Sequence, residues 1–590
     1  MKKKSSWLFL SCLIVVALLL ASCQPVAVEE EEVVPEKEEE EVVVPEEVEK
    51  EEEEVVTEGP QYGGWMNIAF PSDVADWDPI STGPSGINQQ ALSFIYEKYG
   101  MGDWSKGPAG TNEWAFTEFM DIPDKYMTGC LAESWEMPDP LTYVFHLRKG
   151  VHFHNRPPAN GREVTTEDII YCTKRAEQYG TFSSDFTRLI VSYEALDKYT
   201  IQYNFSEPHS EMLFWLASLS GVYAPEVVEE YGNTKDYRRA CGTGPFIIED
   251  IVSGSSMTLA RNASYWGYDE INPENRLPYI DGVKILVIPQ FPTQLAALRT
   301  GKIDWLMEVT PEDAASLRQT NPELKWMRAL DSAARPKIGF KANAEPFNNL
   351  GVRQAMHMAI DFDKIVTEYL KGEGVVLSYP ISATSGEKVY TPVEKLPPAT
   401  RELFEYNPEK ARQLLADAGY PNGFKTECII RGLFVERMSI IVSYWADIGI
   451  DCELKVLETG AFLGQLFGRK FNAVYAKPSG MGRPFQNLQY YYSTAFWNVQ
   501  QVNDPYFDEM LDEISKCTDE TKRNKMIKDL NVYFIGQGWV LAFPMQYTYN
   551  FWQPWLNNYH GEYSLGLYNP AAICARVWID QDLRKVMTGR

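Results

Sequence analysis

Hydrophobic and polar positions along residues 59–590 follow two alternating patterns. Residues 143–153 (YVFHLRKGVHF) have the composition of a strand, and residues 283–289 (VKILVIP) are typical of a buried one. A helical pattern over 165–178 (TTEDIIYCTKRAEQ) follows the first strand, and its Thr165 and Asp168 can form a capping box. Because strand and helix patterns alternate along the chain, we expect a mixed α/β fold with helices covering sheets.

The clearest helix signal lies in residues 407–424 (NPEKARQLLADAGYPNGF). Asn407 is a favoured N-cap residue, Pro408 suits the first turn, and Gly419 suits the end of a helix. One apolar face, formed by Leu414, Leu415 and Ala418, is expected to pack on a core.

The N-terminus has a different pattern. Three lysines precede an apolar run over residues 7–21, and small residues follow at its end, which is the layout of a signal peptide over residues 1–22. The run is shorter than the roughly 20 apolar residues that a membrane-spanning helix needs. The sequence Leu-Ala-Ser-Cys at 20–23 resembles the lipobox of bacterial lipoproteins, which implies that Cys23 is lipidated and becomes the first residue of the mature chain.

An acidic segment follows Cys23. Residues 29–58 contain seventeen Glu, two Lys and no aromatic residue, so this stretch repels itself and cannot bury enough apolar surface to fold. We interpret residues 23–58 as a lipid-anchored disordered tether, which could extend on the order of 100 Å. An interaction tail for a basic partner is the alternative.

Composition limits the partners and the chemistry. The formal net charge is -27, and the chain has no basic stripe, so we expect no nucleic-acid partner. More than 500 residues follow the tether, which implies more than one lobe. His152 and His154 would share one face of a strand, but two ligands without a nearby third favour a structural role over a metal site. Seven cysteines remain after Cys12 and Cys23, and their pairing stays open.

Seven blocks of sequence occur in an order that resembles one family. The chain is similar to the solute-binding proteins of oligopeptide, dipeptide and nickel ABC importers, extracellular solute-binding protein family 5. The likeness spans nearly all of the chain beyond the tether. The blocks are YVFHLRKGVHFHN with TTEDIIYCTKR, GTGPFIIEDIVSGSSMTLARNASYWG (242–267), LPYIDGVKILVIPQFPTQLAALRTGKIDW (277–305), FNNLGVRQAMHMAIDFDKIV (347–366), YNPEKARQLLADAGYPNGF (406–424) and ADIGIDCELKVLE (446–458).

The resemblance implies a two-lobed α/β receptor of the periplasmic-binding-protein type II, peptide-binding class, with a discontinuous first lobe. The first lobe would comprise residues 59–334 and 543–590, and the second lobe residues 335–542. Such a protein captures a solute, a peptide by family, between its lobes and delivers it to permease subunits in the membrane. We expect an extracytoplasmic monomer with no cofactor and no catalytic activity. An oligosaccharide or organic-anion receptor of the same fold, or a membrane-anchored extracellular hydrolase, are the alternatives.

Two segments depart from the family and bear on the ligand. The first is an insertion over residues 99–127, where relatives have a short connection. Its aromatic residues could form a wall of the site or pack on the surface of the first lobe itself. These residues are Trp104, Trp114, Phe116, Phe119 and Tyr126.

The second departure follows the strand predicted over 471–477. Peptide-binding relatives often carry an aspartate here that meets the ligand's terminal ammonium, whereas this chain has PSGMGRPFQN with Arg483 and no acid. We therefore expect the ligand to present an anion or hydroxyls to this segment, unless Asp76 or Asp78 takes an ammonium instead. The candidate ligand-binding residues are Arg483, Trp497, Phe496, Tyr491, Asn498 and Trp114.

Overall fold

The computed structural model describes residues 59–589 apart from 81–85, 120, 180–186, 219–220, 331–335, 472 and 479–482. The predicted signal peptide (1–22), the lipidation site Cys23 and the tether (23–58) lie outside the described residues. Residues from Gly59 onward form one compact unit.

Within the bounds predicted for it, residues 59–334 and 543–590, the first lobe contains two four-stranded sheets. In one sheet, Trp65–Phe70 pairs in parallel with Gly282–Val287, and two antiparallel strands, Ser256–Arg261 and Phe246–Val252, follow. Residues alternate between buried and accessible positions along Trp65–Phe70, because one face of the strand contacts the core. The other sheet is antiparallel, in the order Ala132–Asp139, Thr142–Leu147, Thr200–Phe205 and Ile190–Ala195.

The chain returns to the first lobe near its C-terminus. Met545–Trp552 lies between Trp305–Val309 and Lys325–Leu330 and pairs antiparallel with both. The short strand Gly374–Val375, inside the bounds predicted for the second lobe, also pairs with it. These pairings support a discontinuous first lobe, because strands more than 200 residues apart form one sheet.

The second lobe is built on a five-stranded mixed sheet. Its strands lie in the order Ile450–Val456, Phe424–Ile430, Val474–Pro478, Pro336–Phe340 and Val540–Ala542. The first three run parallel, and Pro336–Phe340 pairs antiparallel with both of its neighbours.

Two further pairs of short strands lie outside these larger sheets. Gly100–Gly102 pairs with Met127–Gly129 and closes the base of the insertion, and Leu556–Asn557 pairs with Trp578–Ile579. Helices cover the sheets. The α-helices are Gly86–Ser93, Thr166–Tyr179, Met212–Ala217, Pro225–Tyr231, Phe291–Arg299, Pro311–Thr320, Leu350–Met358, Phe362–Lys364, Pro398–Arg401, Pro408–Asp417, Val435–Asp447, Thr459–Phe467, Pro484–Gln489, Pro505–Lys516, Glu520–Gln537, Ala571–Arg576 and Gln581–Thr588. Single turns occur at Trp104–Lys106, Asp124–Tyr126, Tyr237–Arg239, Ala383–Ser385, Val393–Lys395, Glu402–Phe404 and Gly432–Phe434, and a π-helical turn at Ile365–Tyr369.

Local sequence signals gave correct helix starts. The Asn407 side chain accepts a hydrogen bond from the Lys410 backbone N–H at 3.0 Å and caps Pro408–Asp417. The Thr165 backbone N–H donates to Asp168 Oδ2 at 2.8 Å, which is the reciprocal half of the predicted capping box. The mixed α/β class is confirmed.

Two further expectations were tested by the fold. His152 is exposed while His154 is buried and lies 3.0 Å from the Gly244 carbonyl, so the prediction that both rings share one face was wrong. All seven cysteines from Cys130 to Cys574 are free thiols. Among the described residues, no helix has the length and apolar character needed to span a bilayer.

Candidate functional site

A cavity of about 330 Å³ lies where the two predicted lobes meet. The insertion and the start of the helix Met212–Ala217 form its first-lobe wall, and the helices Pro484–Gln489 and Glu520–Gln537 with residues 385–389 form its second-lobe wall. Six acidic and four basic side chains line it. The acidic residues are Glu113, Asp121, Asp124, Glu211, Glu387 and Glu520, and the basic residues are Lys125, Lys388, Arg483 and Arg523.

The centre of the first-lobe wall is a cluster of carboxylates around Arg483. The Arg483 Nη2 donates to Asp124 Oδ1 at 2.8 Å, and its Nε lies 3.2 Å from Glu211 Oε1 and 3.8 Å from Asp121 Oδ1. The guanidinium also lies over the Phe214 ring, 4.4 Å from the centroid. Arg483 is 7% exposed, so these carboxylates replace the water that a surface arginine would contact.

Sequence reasoning placed Arg483 at the site but misjudged its surroundings. It noted correctly that the PSGMGRPFQN segment contains no acid, yet three acids from distant parts of the chain reach the same guanidinium. Arg483 is therefore paired with carboxylates of this wall, whereas the sequence favoured an arginine free to bind an anion. Glu211, Asp121 and Asp124 carry no local motif that identifies them, because only the fold brings them together.

Five buried polar atoms of the cavity lining have no hydrogen-bond partner among the described residues. They are Glu211 Oε2, Ser210 Oγ, Trp114 Nε1, Arg483 Nε and Arg483 Nη1. Buried polar groups in folded proteins are nearly always paired with protein, water or ligand. Several unpaired groups around one cavity are thus the arrangement expected of a binding site.

Burial changes the acidity of this cluster. It raises the pKa of Glu211 to about 7, and Arg483 opposes the shift while Asp121 and Asp124 add to it. Burial also raises the pKa of Asp121. The neighbouring His209 is neutral at neutral pH, because burial and nearby arginines lower its pKa to about 4.

The lobes also contact each other around the cavity. The Thr384 hydroxyl donates to Glu118 Oε1 at 2.7 Å, which joins the second lobe to the insertion. The Ser210 backbone N–H donates to the Ser515 carbonyl at 2.7 Å. The His209 ring lies 6.2 Å from the Phe485 ring. These contacts describe an arrangement in which the lobes are closed around the cavity.

The insertion takes both of the roles that the sequence left open. Trp104 and Phe116 are almost fully buried in the core of the first lobe, and Phe119 packs beside Tyr563. Trp114 and Tyr126 instead line the cavity and stack on each other with ring centroids 5.2 Å apart. The insertion is thus anchored by one part of its aromatic set and presents the other part to the cavity.

The remaining sequence candidates lie away from this cavity. Tyr491 is 1% exposed in the second-lobe core, and its hydroxyl accepts a hydrogen bond from Lys337 Nζ at 2.9 Å. Asn498 is fully buried, and its amide donates to backbone carbonyls, including that of Val502 at 2.8 Å. Phe496 and Trp497 are 64% and 42% exposed and pack on Phe467. None of these four lines the described cavity, so their assignment to the ligand stays a prediction without support from this geometry.

Neither aspartate named as an alternative acceptor of an ammonium lines the cavity either. Asp78 is fully buried and forms an ion pair with Arg175 at 2.5 Å, and Asp76 accepts a hydrogen bond from the Asp78 backbone N–H at 2.9 Å. Within the part of the chain that the structure describes, no group of three or more His, Cys, Asp or Glu side chains is arranged to hold a metal ion.

Comparison with known proteins identifies the family of this chain. The family model for bacterial extracellular solute-binding proteins, family 5 Middle, matches residues 127–499. Heme-binding protein A of Haemophilus influenzae is 26% identical over 449 residues, which cover 70% of this chain and 77% of that protein. Di/tripeptide-binding protein 1 of Pseudomonas aeruginosa is also 26% identical, over 70% of this chain and 79% of that protein.

A solved structure shares the fold over most of the chain. The ABC transporter-associated periplasmic binding protein DppA from Helicobacter pylori, in complex with the peptide STSA, has a TM-score of 0.68 at 23% identity. The match covers 88% of this chain and 99% of that one, and it confirms the two-lobed type II fold. The chain belongs to family 5 of the bacterial extracellular solute-binding proteins.

Proposed function

We propose that this chain is the substrate-binding component of an ABC importer, which captures a short peptide between its lobes and delivers it to permease subunits in the membrane. Relatives whose names include di/tripeptide binding support the ligand class. The observation that carries the proposal is the cavity between the lobes, with unpartnered polar atoms from both walls. A receptor of this kind needs no catalytic group, and we expect none to act on the ligand.

The size of the cavity limits the ligand. Small-molecule sites in proteins span roughly 300 to 1,000 Å³, and this cavity of about 330 Å³ lies at the lower end. It suits a peptide of a few residues. The aromatic pair of Trp114 and Tyr126 can pack against the ligand's apolar faces, while the polar atoms pair with its backbone.

The N-terminal features complete the proposal. Lipidation of Cys23 would anchor the protein on the outer side of a membrane, and the acidic segment 23–58 would hold the receptor at a distance from it. Such a tether lets a monomer reach a permease in the same membrane, because tethering raises the effective concentration of the two partners.

Mass spectrometry of the purified protein tests this function. The full chain is denatured and the small molecules that it releases are identified; we expect peptides of two to five residues. Binding of the identified peptides is then measured by calorimetry for Ser210→Trp, which fills the cavity, and for Ser443→Trp on an exposed helix face as a control. We expect loss of binding in the first variant alone. Equal binding by both would place the ligand elsewhere.

A further inference from the structure

We infer that the insertion of the first lobe, described over residues 99–119 and 121–127, limits the length of the ligand that the closed cleft accepts. The inference rests on the proposed function, since it concerns the same cavity and names a property that separates one peptide from another. The insertion is fixed to the first lobe, forms part of the cavity wall and bonds to two segments of the second lobe. The residues that exert this selectivity are Trp114 and Glu118.

The insertion is fixed to the first lobe at its base and at its middle. At the base, Gly100–Gly102 pairs with Met127–Gly129. At the middle, the Tyr563 backbone N–H donates to the Phe116 carbonyl at 2.8 Å, and the Phe116 ring is 1% exposed. The ring occupies the space that Gly102 leaves, since a Cβ atom there would collide with it. A wall packed in this way does not move aside for a larger ligand without loss of close contacts.

The insertion separates one side of the cavity from solvent. Trp114 lines the cavity and stacks on Tyr126 with ring centroids 5.2 Å apart, while Ala115, the next residue, is exposed. Without the insertion the cavity of about 330 Å³ would be open on this side. The lining residues that the insertion supplies are Glu113, Trp114, Asp121, Pro123, Asp124, Lys125 and Tyr126.

Two hydrogen bonds join the insertion to the second lobe. The Thr384 hydroxyl donates to Glu118 Oε1 at 2.7 Å, and Glu118 is 8% exposed. The Arg483 guanidinium donates to Asp124 Oδ1 at 2.8 Å. Thr384 and Arg483 belong to different segments of the second lobe, and residues 385–389, directly after Thr384, line the cavity themselves. The insertion therefore bridges the two lobes at the edge of the cavity as well as forming its wall.

These bonds connect the length of a ligand to its affinity. An extended peptide grows by about 3.3 to 3.6 Å with each residue. A peptide that fits the cavity leaves both bonds intact and gains contacts with each residue. A peptide that is too long holds Glu118 away from Thr384 and removes this donor from a buried carboxylate, which is unfavourable. We therefore expect affinity to rise with length up to a limit and to fall by at least ~10-fold beyond it.

Calorimetry with alanine peptides of two to six residues and the full chain measures this limit. The series keeps the side chain constant, so that length is the property that changes from one member to the next. If the purified protein releases a peptide, that sequence, shortened and extended by one or two alanines, is measured in the same way. Affinity that rises through the whole series in the wild type would overturn the inference.

Two variants test the residues that exert the limit. Trp114→Ala removes part of the wall, so it should bind short peptides more weakly and raise the limit by at least one residue. Thr384→Val keeps the shape of the side chain and removes the donor, so it should lower the penalty on peptides beyond the limit. The matched controls are Trp326→Ala and Thr320→Val, at exposed or half-exposed positions outside the cavity lining, which should leave the limit unchanged.

The ratio of affinities for long and short peptides is the decisive quantity, because a merely destabilised protein would lose affinity for both. Thermal unfolding shows that each variant is folded. A ratio that stays at the wild-type value in both Trp114→Ala and Thr384→Val would contradict the inference even though peptides bind.

Failure of the proposed function gives a different result. In that case no peptide binds to the wild type or to any variant, and the purified protein releases a molecule that is not a peptide. Such a result overturns the inference together with the function on which it rests. Binding of peptides without a limit of length overturns the inference alone.

Discussion

Arg483 Nη2 donates a hydrogen bond to Asp124 Oδ1 at 2.8 Å, although the two residues are 359 positions apart in the sequence. The bond joins the segment after the strand Val474–Pro478 to the insertion of the first lobe. It is one of the contacts that hold the two walls of the cavity together, so the stability of the closed form and the binding of ligand should both depend on it.

Replacing Arg483 by Met should therefore weaken the closed form. Removal of one partner of a buried charge pair typically costs about 3 to 5 kcal/mol, because the remaining charges stay buried without compensation. We expect a lower melting temperature and at least a 10-fold loss of ligand affinity. Denaturant unfolding and calorimetry of Arg483→Met, Asp124→Asn and the double variant measure the coupling. Additive effects of the two changes would show that the hydrogen bond contributes nothing.

The pH dependence of stability should show the raised pKa of Glu211. The pKa of this carboxyl is about 7 in the folded protein and near 4.5 when unfolded, so the folded state binds the extra proton between these values. Stability therefore falls as pH rises from about 4.5 to 7, and the loss is on the order of 3 kcal/mol. The charged groups that face Glu211 are Arg483, Asp121, Asp124 and Arg523.

Glu211→Gln should flatten this part of the profile and unfold at a higher temperature than the wild type at pH 8. The two proteins should unfold at similar temperatures near pH 3.5, where Glu211 is protonated in both states. Identical slopes for wild type and variant between pH 5 and 7 would mean that another group titrates in this window.

The two parts of the insertion should respond differently to truncation. Trp104 is fully buried in the core, so Trp104→Ala should cost about 3 to 5 kcal/mol of stability. Trp114→Ala at the cavity should lower ligand affinity and change the melting temperature little. Loss of affinity in a Trp104→Ala protein that remains folded, without loss in Trp114→Ala, would reverse these assignments.

Binding should be accompanied by closure. Ligand that contacts both lobes stabilises the closed form, in which Ser210 and Ser515 are hydrogen-bonded. Small-angle scattering should give a smaller radius of gyration with a verified ligand than without it. An unchanged radius at saturation would indicate a rigid cavity.

The N-terminal proposal is tested in cells. Cys23→Ala should move the protein from the membrane fraction to the soluble fraction, because the acylated side chain is lost. Ser22→Ala is the control variant, because it keeps the cysteine and a small residue before it and should leave the protein in the membrane fraction. A Cys23→Ala protein that stays with the membrane would contradict the lipid anchor.

The fold class, the family and several local structures were predictable from the sequence. The Asn407 cap and the reciprocal bond of Thr165 and Asp168 depend on residues three positions apart, so their signals are visible in a short window of sequence. The seven sequence blocks that identify the family are also visible in short windows of sequence, because each is a contiguous segment.

The chemistry of the cavity depends on contacts between distant segments and was not predictable from the sequence. The sequence segment around Arg483 contains no acid, so the sequence indicated an arginine without a partner. In the structure, three carboxylates from distant segments lie within 4 Å of its guanidinium. Tyr491 and Trp114 illustrate the same limit. Both are aromatic, but one packs in a core and the other lines the cavity. Residue type fixes what a side chain can bind, whereas burial and long-range neighbours decide what it does bind.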